Sequence, residues 1–356
     1  MALQVDRPST HRPFRPSATK PVSAAPADAT PAKEGDEDEP ESKVAVQLDA
    51  LNLPDVWTAG YTGKGVGIAV IDSGLSLHAD LRSHTVAFKD FVNENRHPND
   101  DADPASAYDD AGHGTMVSTV AAGDGTNGIC TGAAPGANII SLKAVDAGGM
   151  AWSSNVVKAI QWAVDNKERY NIRVLNMSFY LDDPDLQAQV PVLQAIDKAA
   201  AAGIIPVAAA SNDGPGPRTL HTIASYPRVV TVAASNVQGT SDMSDDTIAY
   251  FSSRGPGDSG QMKPDATAPG VNVTVGTVDG TYREADGTSF ASPIAAGVIA
   301  TWIEANPSLT VDDVQDIIAD TSRPIDGYAH YDQGYGQIDA MAGLQKAIEM
   351  GSRRVA

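Results

Sequence analysis

The sequence predicts an α/β fold, a three-layer α/β/α sandwich with a mostly parallel central sheet. Two observations carry this expectation. From Gly67 onward, short runs that are apolar at nearly every position alternate with longer segments of helical composition. Strands of that kind are buried on both faces, as in a parallel sheet covered by helices.

Taken in chain order, residues 1–43 stand apart. They are rich in Pro, Ala, Ser and Thr, basic early at Arg12, Arg15 and Lys20, and acidic late at Glu34, Asp36, Glu37, Asp38 and Glu39. Such a segment buries too little apolar surface to offset its ordering entropy, so a disordered tail is expected. Residues 44–350 read as one domain, with no linker-like stretch after Leu51. The first strand is expected at Gly67–Asp72, where Ile68, Val70 and Ile71 are β-branched. Further strands are expected at Asn138–Val145, Val174–Phe179, Ile204–Ala210 and Val229–Ala234. Helices are expected at Ser153–Tyr170, Val192–Ala202, Ser289–Asn306 and Val311–Thr321. Between the last two, Asn306-Pro-Ser-Leu-Thr310 supplies a helix stop and the next N-cap.

Three segments each surround one reactive side chain with small residues. They are Gly67-Ile-Ala-Val-Ile-Asp72-Ser-Gly74, Asp110-Ala-Gly-His113-Gly-Thr115 and Gly287-Thr-Ser289-Phe-Ala-Ser-Pro293. A serine hydroxyl is a poor nucleophile at neutral pH and needs a base within hydrogen-bond reach. Histidine, with an unperturbed pKa of about 6.5, is mostly neutral yet basic near pH 7. A carboxylate on its other ring nitrogen fixes the tautomer. Ser289 is therefore the candidate nucleophile, His113 the candidate base and Asp72 the orienting group. A tetrahedral intermediate also needs fixed donors. Asn212, just beyond the Ile204–Ala210 run, is the candidate side-chain donor, and the Ser289 N–H is the second.

Singly, each residue has a plainer reading. Asp72 suits a strand-end turn, His113 a loop, and Ser289 a helix N-cap. Together with Asn212, in the order Asp, His, Ser, they favour catalysis, because unrelated folds reach the same triad in different orders.

That order and these segments resemble the subtilisin-like serine proteases, the subtilases, over roughly Leu51 to Ala347. Leu175-Asn-Met-Ser-Phe179 resembles the family strand that pairs with bound peptide, and Tyr226-Pro227 resembles its tyrosine–proline turn, where the peptide bond is often cis. Phe251-Ser-Ser-Arg-Gly-Pro256, Lys263-Pro-Asp265, Ala268-Pro-Gly270 and Gly334-Tyr-Gly-Gln-Ile-Asp339 match as well. The resemblance implies a subtilisin-like peptidase domain that cleaves proteins through an acyl-enzyme. It implies substrate contacts at Ser178, Phe179 and Tyr180, at Gly148 and Gly149, and at Ala210 and Ser211, with extended peptide bound by strand addition. Losing the oxyanion donor is known to cost subtilisin roughly 10²–10³ in turnover. A non-catalytic binding or scaffold protein of the same fold is the alternative, and it would need a defect in the triad.

The chain also departs from the family pattern. Phe290 follows the nucleophile where methionine is usual, Met116 stands where a second histidine is frequent, and Phe179-Tyr180 replace a leucine–glycine pair. Ser211 takes the place of a common glycine. The bulk at 179 and 180 puts the shape of the specificity pocket in question. Other motifs fail. Gly63-Lys-Gly65-Val-Gly67 precedes a strand instead of joining strand to helix. Gly287-Thr-Ser289-Phe-Ala291 lacks the second glycine of a nucleophile elbow.

Composition narrows the partners. The net charge of −20 over 356 residues opposes nucleic acid and anionic membrane, and no apolar stretch reaches the roughly 18 residues of a span. Protein or peptide substrates and a monomer are expected. The single cysteine, Cys130, allows no intrachain disulfide and fits either redox compartment. No cofactor is required for the chemistry. Asn99-Asp-Asp-Ala-Asp103 offers oxygens for a structural calcium, although such runs are more often solvated loops. No apolar signal region of 7–15 residues follows the early basic residues. A cytoplasmic location follows if the chain is complete, and secretion remains open if it is a fragment.

Overall fold

The computed structural model describes residues 8–9, 46–93, 102–181, 186–258 and 260–355. Its strands are β1 (Pro8–Ser9), β2 (Gly67–Asp72), β3 (Thr85–Asp90), β4 (Asn138–Lys143), β5 (Ala151–Trp152), β6 (Ile172–Met177), β7 (Ile205–Ala209), β8 (Val230–Asn236), β9 (Thr247–Ile248), β10 (Ala266–Pro269), β11 (Val273–Gly276) and β12 (Tyr282–Ala285). Its helices are α1 (Val46–Asp49), α2 (Leu53–Thr58), α3 (His113–Ala122), α4 (Ser153–Asp165), α5 (Lys167–Tyr170), α6 (Leu186–Ala201), α7 (Thr288–Ala305), α8 (Val311–Thr321), α9 (His330–Gln333) and α10 (Ala340–Val355).

The apolar runs form strands because both of their faces are covered. Along β2, Ile68 and Val70 enter one core with Val207, Val232 and Ile299, while Ala69 and Ile71 enter the other with Ile160, Leu175 and Ile196. This period of two, buried on each side, places α3 and α7 on one face of the sheet and α4 and α6 on the other. Strand order is β10-β8-β7-β6-β2-β4-β3, all parallel, with β9 added antiparallel to β8. The result is the expected α/β/α sandwich. The chain enters the sheet at β2, builds out to β3 and back through β4, then crosses to β6 on the other side. Order therefore reverses at β2, and a crevice opens where the loops at strand carboxyl ends part. Asp72 is the last residue of β2.

Differences from the expected elements have local causes. One helix over Ser153–Tyr170 is in fact α4 and α5, broken at Asn166, whose side-chain amide donates to Trp162 O at 3.0 Å. Such a residue offers the backbone an alternative to helix. α6 starts before Pro191 instead of after it. Tyr226–Pro227 is not among the cis bonds, which lie at Gly214–Pro215, Gly255–Pro256 and Lys263–Pro264. Val229 N donates to Tyr226 O at 3.2 Å, a turn with proline at its second position, which trans proline suits. Within the tail, Pro8 pairs with Trp152 and Ser9 with Ala151, antiparallel; residues 1–7 and 10–45 lie outside the described residues. So do residues 94–101, which hold most of the acidic run considered for calcium. Among the described residues no group of three or more His, Cys, Asp or Glu is placed to hold a metal ion.

Candidate active site

Asp72 and His113 meet because the start of α3 is pressed against the loop after β2. A Cβ on Gly114 would stand 2.2 Å from Gly74 O, so only glycine allows that approach. Asp109 braces the loop before α3. Its Oδ1 accepts from Ser73 Oγ at 2.8 Å and Gly112 N at 2.7 Å, and its Oδ2 from Thr115 N and Oγ1 at 2.9 and 2.7 Å. The Asp72 carboxylate receives Ser73 N at 2.7 Å and lies 2.8 and 3.0 Å from His113 Nδ1. An ionised carboxylate only accepts, so Nδ1 carries the hydrogen and Nε2 is the basic nitrogen of the neutral ring. Burial pushes the His113 pKa down, but the charge and hydrogen bond of Asp72, with the charge of Asp109, outweigh it. Arg283 works against them, and the net shift is upward from 6.5.

Ser289 lies in the first turn of α7, buried at 7% exposure. Its Oγ donates to Ser178 O at 3.3 Å, and Ser178 Oγ donates to Ser289 O at 3.0 Å. Pro293, four residues on, has no N–H to reach Ser289 O within the helix. The Ser178 hydroxyl takes that place. Asn212 is exposed, and its Oδ1 accepts both Thr288 N and Thr288 Oγ1 at 2.9 Å. These bonds leave its NH₂ group out of the contact with Thr288. Phe290 is fully buried with its ring centroid 6.1 Å from that of His113.

A cleft of about 570 Å³ is lined by Asp72 and His113, by Val145, Ala147, Gly148, Gly149 and Phe179, and by Thr277, Val278, Asp279, Thr281, Tyr282 and Arg283 of the β11–β12 hairpin. Of the substrate residues implied by the resemblance, Gly148, Gly149 and Phe179 line it. Tyr180 instead stacks on His221, ring centroids 4.2 Å apart, and His221 Nε2 is 2.7 Å from Asp213 Oδ2. Ala210 packs with Leu220, Ala224 and Ala233. Ser211 has φ +86°, the left-handed region that favours glycine.

A profile described as the Subtilase family matches residues 63–337. The chain belongs to the subtilase family. It is 34% identical to serine protease AprX of Bacillus subtilis (strain 168) over 279 residues, covering 72% of this chain and 61% of AprX. Subtilisin E of the same organism is 32% identical over 299 residues, 83% of this chain and 70% of that protein. Subtilisin DY of Bacillus licheniformis is 33% identical over 299 residues, 83% of this chain and 97% of that protein. The chain thus spans less than two thirds of the length of AprX.

The sequence reading missed several neighbours of the site. Asp109 is adjacent to a recognised segment and Thr288 lies inside one, and neither carries a signal of its own beyond a side chain that can bond its neighbours. Lys143 lies far from those segments in sequence and only the topology brings it in, whereas Arg283, four residues before Gly287, sits on a short mixed-polarity strand that carries no signal of its own.

Proposed function

We propose that this subtilase is a serine endopeptidase that hydrolyses peptide bonds of proteins through an acyl-enzyme. The observation that carries the reading is the Asp72 carboxylate on His113 Nδ1 at 2.8 and 3.0 Å, at a cleft of the family fold; Ser289 stands at the start of α7, its hydroxyl on Ser178 O at 3.3 Å. In the first half-reaction the Ser289 hydroxyl proton passes to His113 Nε2 as Oγ bonds to the substrate carbonyl carbon. The oxyanion is received by the Asn212 NH₂ group and the Ser289 N–H. Nε2 then protonates the leaving amine and the carbon–nitrogen bond breaks. In the second half water gives a proton to Nε2 and its oxygen to the acyl carbon, and the proton returns to Ser289 Oγ.

Extended protein or peptide substrate lies along the Gly148–Trp152 edge and the Ser178–Phe179 segment. The antiparallel pairing of Pro8–Ser9 with Ala151–Trp152 supports this, since that edge accepts an extended chain. Nothing in the mechanism calls on a cofactor. The test is incubation with an unfolded protein with and without a serine-directed phosphonate, followed by mass spectrometry of the adduct. The expected result is cleavage, its inhibition, and a single adduct on Ser289. Ser289→Ala retaining more than about a hundredth of wild-type turnover sinks the assignment.

A further inference from the structure

Lys143 ends β4 beside the end of β2, directly opposite Asp72 in the sheet register. Its side chain is wholly buried. An ammonium group is costly to remove from water unless it is paired and fully hydrogen-bonded. Here each of its three hydrogens has an acceptor: Ser73 O at 2.6 Å, Asp110 Oδ1 at 2.6 Å and Val145 O at 2.9 Å. The Tyr108 ring centroid is 5.2 Å from Nζ, within cation–π range.

The three acceptors belong to three different loops. Ser73 follows Asp72, and its amide holds the Asp72 carboxylate. Asp110 stands in the loop that delivers His113. Val145 opens the loop whose Ala147, Gly148 and Gly149 line the cleft. Main-chain bonds tie the first to the third, through Ala144 N and Val145 N to Asp72 O at 2.9 and 3.1 Å, and the first to the second, through Leu75 N to Tyr108 O at 3.1 Å. The ammonium is where all three meet. Replacing a whole buried ion pair by well-packed apolar side chains is often neutral or stabilising, so stability alone does not account for the Lys143–Asp110 pair.

We propose that Lys143 is a positioning residue for the hydrolysis set out above, fixing the Asp72 loop, the His113 loop and the cleft wall from one buried point. It touches no reacting atom. It acts through Ser73 and Asp110 on the Asp72–His113 geometry and through Val145 on bound peptide. The proposal rests on the protease reading, and a misplacement of about 1 Å in such a site costs on the order of 10² in rate.

The test compares Lys143→Met, Lys143→Arg and Asp110→Ala in the full chain. Peptide-anilide kinetics are normalised to competent sites by phosphonate titration, and thermal unfolding is followed in parallel. Lys143→Met is expected to lower kcat per titrated site about 10–100-fold, and Lys143→Arg to recover part of that loss. Asp110→Ala is expected to lower kcat severalfold. The Asp110 side chain is 36% exposed, so solvent reaches the place of the lost carboxylate, and this variant is expected to stay folded and to carry the test even where Lys143→Met does not fold. A folded Lys143→Met, or Asp110→Ala, with kcat per titrated site within twofold of wild type and only a lowered Tm makes the lysine purely structural and overturns the proposal. Failure of the protease reading is a separate result: wild type then neither cleaves nor takes up phosphonate at Ser289.

Discussion

Ser178 and Ser289 hydrogen-bond to each other in both directions, hydroxyl to carbonyl each way. The exchange exists because Pro293 leaves Ser289 O without its helical donor, and it couples the start of α7 to the segment just beyond β6. Asn176 Nδ2 donates to Ser178 Oγ at 3.0 Å, and Asn176 Oδ1 accepts from Ser292 Oγ at 2.7 Å, so a buried network backs the candidate nucleophile. Ser178→Ala leaves Ser289 O and Asn176 Nδ2 without that partner. A loss of about 1–3 kcal/mol in urea unfolding is expected, with kcat lowered about tenfold as Ser289 loses its anchor. Unchanged stability and unchanged kcat together would mean that the reciprocal pair holds nothing in place.

The pH dependence follows from His113. The ring must be neutral to take the Ser289 proton, and Asp72 and Asp109 hold its pKa above 6.5 against burial and Arg283. Raising the pKa of a base extends its protonated, inactive range upward in pH. The acid limb of kcat/KM is therefore expected to have an apparent pKa above the ordinary histidine value of about 6.5. Asp109→Asn removes one raising charge and is expected to move the limb down. A limb at or below 6 in wild type contradicts the assignment of His113 as the base.

For Asn212, the geometry separates two functions. Its Oδ1 is committed to Thr288, and its NH₂ group is the part assigned to the oxyanion. Asn212→Asp keeps the acceptor and removes the donor, placing a negative charge where negative charge develops. Turnover is expected to fall at least as far as the roughly 10²–10³ known for loss of such a donor in subtilisin, with KM little changed. A raised KM with unchanged kcat would point instead to a contact made equally in the ground state.

Much of this site was legible because its chemistry sits in short contiguous segments. β2 has the expected bounds, and Asp72 ends it. α3 was not foreseen, since every residue from His113 to Ala122 is buried and a helix buried all round shows no polar stripe. Strands β3, β10, β11 and β12 are short or mixed in polarity, so they lack a clear period of two. Lys143 lies inside the strand expected at Asn138–Val145, with nothing in the sequence to single it out. Its role emerges only when parallel pairing sets it opposite Asp72. Tyr180, read from its position as part of the pocket wall, turns to His221 because that ring offers a stacking partner at 4.2 Å.

Of residues 1–43, the described ones are Pro8 and Ser9. Pro8–Ser9 occupies the Ala151–Trp152 edge on which extended substrate is proposed to bind. A chain starting at Lys43 keeps the described core and frees that edge. It is expected to fold with unchanged Tm and to bind a long peptide with a lower KM. The change should be no more than a few fold, because each hydrogen bond of so short a ladder contributes only about 0.5–1.5 kcal/mol net. A raised KM, or loss of folding on truncation, would make the tail part of the site or of its scaffold.

The residue after Ser289 sets the last expectation. Peroxide converts methionine to a polar sulfoxide, which next to a nucleophile disturbs the place where the oxyanion forms. Phe290 removes that route, and its ring is fully buried against the His113 side of the site. Two methionines remain near the cleft. Met177 ends β6 at 0% exposure and is shielded, whereas Met116 lines the cleft and its sulfur accepts from Arg283 Nη2 at 3.0 Å. Oxidation of Met116 would alter the contact that holds Arg283 near His113, so slow inactivation by this path is expected in wild type. Phe290→Met is expected to lose activity in peroxide several times faster, and Met116→Leu to slow the residual loss. Equal rates for wild type and Phe290→Met would move control of sensitivity away from position 290, and a further insensitivity to Met116→Leu would take it out of the cleft altogether.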